Sequence, residues 1–420
     1  MDVQANKAPK VASKMSKANK VRFAISFFVF AFLWMSGLGI VNAVLLPQHL
    51  KDLVGPSAST AIFGVLSAAT AITSLISNLV FGNLSDRTRS RFGRRTPWVL
   101  AGGVVGGLSL FLIGVANNAW TIGIAFCMSM VGLNMMIAPV IATLSDRVPD
   151  DMRATMSAFM SAGTTCGSAM GTLIGARFIS LQLPGFVVAG ILMGVAGLCT
   201  IIVWPNEKSS KEMPAVGGGV SELLASFRPP VKGARDFWLA FIGRTLLIFS
   251  YYMILNYQLY ILESYIGQGK ASAAATISVM SIVTMIVGLI GSLTSGAISD
   301  FIGRRKLPVI IASVLLIIGY LLPWVMKSAF SMILFAGFAG LGYAVYGAVD
   351  QALNVDVLPS KAEAGKDLGI LNIATTLGQT AGPIVTSALV VMGGYDMVFP
   401  TAMAFAAVAC IFIQMIRSTK

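Results

Sequence analysis

The chain has 420 residues, 56% of them hydrophobic and only 11% charged, with a mean hydropathy of +0.81. So few charges cannot cover the surface of a water-soluble protein of this length, which excludes a soluble fold and makes the bilayer the expected solvent. The net charge of +13 then reads as a topology signal and not as a nucleic-acid footprint.

In chain order, residues 1–22 form a basic arm with Lys7, Lys10, Lys14, Lys17 and Lys20, suited to anionic headgroups on the cytoplasmic side. Apolar runs long enough to cross a bilayer, which takes about 20 residues, then predict spans at 23–47, 58–84, 97–116, 120–144, 154–178 and 186–204. Residues 205–236 change character, with Glu207, Lys208, Lys211, Glu212, Gly217 to Gly219 and Pro229-Pro230, and read as a cytoplasmic linker. Six further spans follow at 237–262, 273–298, 308–326, 331–354, 368–391 and 397–416, before a short tail, 417–420. With the N-terminus cytoplasmic, 25 of the 30 Lys and Arg fall on cytoplasmic segments, a strong positive-inside bias. The expected fold is an all-α polytopic membrane protein of about 12 transmembrane helices, in an N-terminal six-helix bundle (23–204) and a C-terminal one (237–416) related by pseudo-symmetry.

The pseudo-symmetry is written in the loops. Gly82 to Pro97 reads GNLSDRTRSRFGRRTP, and 214 positions later Gly296 to Pro308 reads GAISDFIGRRKLP. A second pair, Asp146 to Pro149 and Asp356 to Pro359, recurs at an offset of 210. Carboxylates and guanidiniums at helix ends form charge-assisted bonds and bind helix termini, so such loops can hold one face of a bundle pair shut. These repeated loops in a six-plus-six layout resemble the major facilitator superfamily of secondary transporters over essentially the whole chain. The resemblance implies a cytoplasmic gate built from Gly82, Asp86, Arg87, Gly93, Arg94, Arg95 and Asp146 in the first half, and from Gly296, Asp300, Gly303, Arg304, Arg305 and Asp356 in the second.

The first loop carries an apparent insertion, Thr88 to Arg91, absent from the second. The string DRTRSRFGRRTPW looks like the loop of sucrose transporters and of the glycoside/pentoside/hexuronide cation symporters. Drug exporters of the superfamily tend to carry an Arg in span four and a Gly-Pro pair in span five; this chain has neither, although Gly378 to Pro383 in span eleven keeps a Gly-x-x-x-Gly-Pro string. The spacing of Gly163, Gly167, Gly171 and Gly175 in span five forms a small-residue seam for close helix packing.

Charges within the spans are few and therefore readable. Arg244 in span seven and Asp350 in span ten lie at similar depth, and a charge in the membrane centre needs a partner or a cavity. With Glu263 they are the candidates for cation coupling, to a proton or to sodium; Arg177 and Glu263 also read as interfacial. Span seven carries a stripe of Thr245, Phe249, Tyr252 and Asn256, with Gln258 beside it. Span ten presents Tyr343, Tyr346, Asp350 and Asn354, and span eleven Asn372, Thr376 and Gln379. With Asn42 of span one and Asn134 of span four, the groups Tyr252, Asn256, Gln258, Tyr346, Asn372 and Gln379 form a candidate substrate site. Neutral amides donate and accept, aromatic faces suit the C–H side of a sugar ring, and so few fixed charges favour a neutral sugar. His49, the only histidine, rules out a multi-histidine relay and reads as interfacial or pH-sensing. Cys127, Cys166, Cys199 and Cys410 lie within spans and read as packing.

The function expected is secondary active transport by alternating access: sugar uptake driven by a cation gradient, in a cell-membrane monomer with both termini cytoplasmic. Alternatives are an exporter of drugs or small metabolites and, more remotely, a sugar-sensing receptor. No catalytic set, metal site, cofactor or nucleic-acid partner is expected.

Overall fold

The computed structural model describes residues 15–211, 229–230, 234–302, 306–359 and 364–417. Among them the chain is helical throughout, because in hydrocarbon every backbone N–H and C=O has to be satisfied within the segment. We number the helices α1 (Lys17–Val54), α2 (Pro56–Arg87), α3 (Thr96–Val115), α4 (Ala119–Arg147), α5 (Asp150–Arg177) and α6 (Gln182–Val203) in the first half. The second half holds α7 (Arg235–Leu255), α8 (Lys270–Ile302), α9 (Lys306–Met326), α10 (Ala329–Asp356), α11 (Ala364–Gly393) and α12 (Val398–Gln414). Side chains such as Val65, Ile124, Ile202 and Val325 are exposed on the outside, where lipid is their solvent.

The first helix of each half runs into irregular turns. In α1 a π-turn covers Val41–Leu45, just before Pro47, which lacks an N–H and whose ring clashes with the carbonyl four residues back. After α7 the chain turns at Asn256-Tyr257, makes one short turn at Gln258–Tyr260 and then a π-turn at Ile261–Tyr265. The sequence-predicted spans 23–47 and 237–262 are thus carried further by irregular turns that hydropathy does not reveal.

The two halves repeat one packing scheme. In the first, α1 packs on α5 and α6, α3 on α4 and α6, and α2 on α4; in the second, α7 packs on α11 and α12, α9 on α10 and α12, and α8 on α10. The halves meet through α2 against α11 and α5 against α8, a pairing that a two-fold axis maps onto itself. Glycines allow the closest approaches. Along α5, a Cβ at Gly163, Gly167, Gly171 or Gly175 would collide with the carbonyl oxygens of Phe28, Phe32, Ser36 and Ile40 on α1, so the predicted seam is a backbone-to-backbone ladder. The matching α11–α7 contact uses Gly378 and Gly382 against Thr245 and Phe249.

Twelve described helices run back and forth, so the start of α1 and the end of α12 lie on one face, here the terminal face; the opposite one is the distal face. A dense set of contacts joins the two bundles at the distal face. Lys51 Nζ lies 2.5 Å from Glu263 Oε2, and Lys270 Nζ lies 3.4 Å from Asp52 Oδ2. The Tyr260 hydroxyl donates to the Pro47 carbonyl at 3.2 Å, and the Ser387 hydroxyl to the Thr60 carbonyl at 3.1 Å. Phe63 of α2 packs edge-on against Tyr257 at 5.4 Å. A separate clip on this face joins Lys327 to Asp396 at 2.8 Å; their hydrogen bond holds the Asp396 carboxyl below its usual range and raises the Lys327 ammonium.

Candidate functional site

The second bundle buries an ion pair. Arg244 Nη1 lies 2.6 Å from Asp350 Oδ2, with side-chain exposures of 6% and 4%. The sequence placed these two at equal depth on separate helices, and the packing of α7 beside α10 brings them together. Asp350 Oδ1 accepts from the Tyr346 hydroxyl at 2.7 Å, and Oδ2 from Asn354 Nδ2 at 3.0 Å. Arg244 Nε donates to Thr375 Oγ1 on α11 at 3.0 Å. Hydrogen bonds that satisfy the remaining lone pairs and protons are what make a buried charge pair tolerable. Tyr346 and Asn354 stand one helical turn on either side of Asp350, so α10 supplies the carboxylate and both its neutral partners from one face.

Next to the pair lies an aromatic and amide wall. Tyr251 and Tyr343 stack at 4.2 Å with planes 9° apart, and Tyr252 meets both rings edge-on. Gln379 Nε2 donates to the Tyr252 hydroxyl at 3.0 Å, tying α11 to α7. Asn256 caps α7 and is half-buried, as is Gln258, which opens the short turn beyond. That turn packs against the π-turn of α1, where the buried Oδ1 of Asn42 has no hydrogen-bond partner among the described residues. An orphaned buried acceptor costs about 1–3 kcal/mol, so Asn42 is poised to receive a donor.

Asn134 is placed differently. Its Nδ2 donates to Ser74 Oγ at 2.9 Å and to the Met130 carbonyl at 2.8 Å, while its Oδ1 accepts from Asn78 Nδ2 at 3.0 Å. All its hydrogen-bonding capacity but one lone pair is engaged between α2 and α4, the interhelical-glue arrangement. Glu263 bonds to Lys51 at the distal face, away from Arg244 and Asp350. Asn372 lies on α11, but its side chain is outside the described residues.

At the terminal face, the first-half loop forms one network. Arg95 is buried and reaches Asp86 at 2.5 Å and Asp146 at 2.7 Å, and Arg94 also reaches Asp146 at 2.7 Å. Arg95 Nη1 donates to Ser85 Oγ at 2.6 Å. These bonds join α2, α3 and α4 within one bundle. Arg87 is exposed at the end of α2. Gly82 has open space around it, whereas Gly93 has φ +90° and Glu207 occupies the place of a Cβ, so only the second demands glycine.

Glu207 went unnoticed as a site residue in the sequence. Its carboxylate accepts from the backbone N–H groups of Arg94, Arg95 and Thr96 at 3.0–3.2 Å and from the Thr96 hydroxyl at 2.9 Å, an anion seated on the N-terminus of α3. Ser210, three residues on, pairs with Ser90 of the inserted loop segment through backbone and side chain. The start of the linker is thus docked on the first of the repeated loops, which gives the insertion a structural partner. In the second half Gly296 and Asp300 lie on α8 with side chains outside the description, Gly303, Arg304 and Arg305 lie outside the described residues, and Asp356 is exposed at the end of α10.

The fold is shared with solved transporters. A bacterial homologue of the human lysosomal transporter Spinster, inward-facing and occupied, superposes with a TM-score of 0.72 at 14% identity, covering 97% of this chain and 98% of that one. The nucleoside transporter NupG gives 0.71 at 16% identity over 94% and 98% of the two chains. The human organic anion transporter MFSD10 gives 0.68 at 15% over 94% and 99%. No curated protein matches by sequence. One family model, described as Major Facilitator Superfamily, matches residues 23–266 and again 241–419, the two halves that share one packing scheme, and the chain belongs to that superfamily.

Proposed function

We propose that this transporter takes up a neutral sugar together with a cation, by exposing one central site alternately to the two sides of the membrane. The observation that carries the reading is the buried Arg244–Asp350 pair beside the Tyr252–Gln379 wall. Removing the partner of a buried charge costs about 3–5 kcal/mol. Separating α7 from α10 therefore calls for a compensating cation at Asp350, a proton or sodium. The neutral tyrosines and amides around it suit hydroxyls and the C–H face of a sugar ring. Asn42 completes the site from the first bundle, and Asn256 and Gln258 lie at the break that separates the site from the distal face.

On this reading the terminal face is cytoplasmic, the chain is a cell-membrane monomer, and the distal face, joined by Lys51–Glu263 and Lys270–Asp52, is the outer one. The gate of Asp86, Arg94, Arg95 and Asp146, with its repeat in the second half, holds the terminal face when the site turns outward. A second reading, a nucleoside, is favoured by the Tyr251–Tyr343 stack, which would suit a base, and by the fold likeness to a nucleoside transporter.

The test is uptake into proteoliposomes of labelled hexoses, pentoses, glycosides and nucleosides under imposed proton or sodium gradients. Gradient-driven accumulation of a sugar is expected; accumulation of nucleosides alone selects the second reading, and transport of a solute independent of both ions overturns the coupling.

A further inference from the structure

His49 lies on α1 at the distal face, away from the site just described, and both its ring nitrogens face oxygen. Nε2 is 3.0 Å from the Ala116 carbonyl at the end of α3. A carbonyl only accepts, so the Nε2 proton is fixed. Nδ1 is 3.0 Å from Gln182 Oε1 at the start of α6. The Gln182 amide is in turn oriented by its Nε2, which donates to Asp52 Oδ2 at 2.6 Å. Flipping the amide would set its oxygen against that carboxylate, two acceptors face to face. With Gln182 held this way, Nδ1 also has to donate, and the ring that satisfies every contact is the doubly protonated imidazolium.

Asp52 is where this chain of bonds leaves the first bundle. It accepts from Gln48 Nε2 at 2.6 Å on its own helix and pairs with Lys270, the first residue of α8 in the second bundle, at 3.4 Å. The remaining surroundings of the ring are few. α6 adds the edge of Phe186 at 5.7 Å and no charged side chain along its length, its one thiol, Cys199, lying near the opposite end, and α3 ends in Ala116 with Asn117 and Asn118 next. On α1, Lys51 is engaged by Glu263 of the second bundle, and Arg177 at the end of α5 is exposed.

We propose that His49 is a proton-binding site that governs closure of the distal face: its imidazolium, through Gln182, positions Asp52 to hold Lys270 of the opposite bundle. Loss of the Nδ1 proton leaves two acceptors facing each other at 3.0 Å, or turns the Gln182 amide and frees Asp52. Either way the cross-bundle pair loses its support, so acid favours the closed distal face and alkali loosens it. The inference rests on the two-bundle architecture and on neither the sugar nor the Asp350 reading.

The experiment places spin labels across the distal face at Trp120→Cys and Phe330→Cys, two exposed positions at 84% and 60%, in a chain with the native cysteines replaced and reconstituted in lipid nanodiscs. Inter-label distances are read from pH 5.5 to 8. The ratio of closed to open populations should fall about tenfold across this range, the loss of one hydrogen bond to a charged group. His49→Gln and Asp52→Asn should each flatten that dependence. Repeating the series with Asp350→Asn separates it from protonation at the buried pair. A wild-type distribution that does not respond to pH, or a response that survives in either His49→Gln or Asp52→Asn, overturns the proposal.

Discussion

Lys51 of α1 and Glu263, in the π-turn beyond α7, meet at 2.5 Å across the boundary between the bundles, and α1 carries a π-turn of its own at Val41–Leu45. α1 and α7 hold equivalent places in the two halves, so the widened helical turns and the ion pair sit together at the boundary between the bundles on the distal face. Glu263 gives only one oxygen to the pair; its buried Oε1 has no hydrogen-bond partner among the described residues. A carboxylate half satisfied in this way holds the face shut without holding it for good.

Removing that pair should therefore shift the conformational balance and leave the fold intact. Lys51→Met and Glu263→Gln are each expected to raise the labelling of distal-face cysteines severalfold, corresponding to about 1 kcal/mol for a partly exposed ion pair. The reversed pair, Lys51→Glu with Glu263→Lys, should restore closure. If the single variants label as the parent does, the pair contributes nothing to closing.

Asp350→Asn should abolish gradient-driven accumulation while sparing exchange of substrate between the two sides. The amide keeps hydrogen-bond partners for Tyr346 and Asn354 but removes the charge that faces Arg244. Arg244→Gln alone strands the carboxylate and should lower thermal stability by about 3 kcal/mol or more, and the two changes together should recover much of that loss. Accumulation by Asp350→Asn under a proton gradient would move the coupling site elsewhere.

The all-helical membrane fold in two halves and the α5 seam were legible in the sequence because hydropathy, loop repeats and four-residue spacing are properties of single helices. Arg244 and Asp350 were legible as a pair because two lone charges at one depth have few other partners. What depends on how helices lie side by side was not. The amide of Asn134 reads like that of Gln379 in the sequence, yet Ser74 and Asn78 happen to flank it on α2. Thr375, not its predicted neighbour Thr376, turns towards Arg244. Glu207 looked like linker polarity, and only the return of the chain past the Gly93 turn gives its carboxylate three N–H donors. The π-turns left no hydropathy signal, although Pro47 marks the first in hindsight.

At the first repeated loop, the bonding predicts an order of importance that the motif does not. Asp146 serves both Arg94 and Arg95, Asp86 serves Arg95 from a more exposed position, and Glu207 neutralises the start of α3. Asp146→Ala and Glu207→Ala should each destabilise the protein by about 1–3 kcal/mol, as loss of charge-assisted bonds and of a helix cap does. Asp86→Ala should cost less than about 1 kcal/mol and act mainly on terminal-face accessibility. Thermal melts of the three variants with cysteine labelling at that face test the ranking; an Asp86 variant that melts lowest reverses it.

Glycines give the last prediction, because two that look alike in sequence differ in space. Gly171 faces the Ser36 carbonyl on α1 with no room for a methyl group, and Gly175 would bring one to 2.9 Å from the Ile40 carbonyl. Gly171→Ala should force α5 away from α1 along the whole ladder, a small-to-large change in tight packing that costs about 1–3 kcal/mol. Gly82 belongs to the repeated loop motif, yet a Cβ there meets nothing within 4 Å. Gly82→Ala removes backbone freedom from the unfolded chain and should raise stability by about 0.5–1 kcal/mol. Any loss of transport in Gly82→Ala would then report on a conformation other than this one, in which α2 is approached more closely. Melting temperatures in detergent, with uptake rates for both variants, decide the matter: equal destabilisation by the two alanines would mean that the α5–α1 ladder is not what sets the distance between those helices.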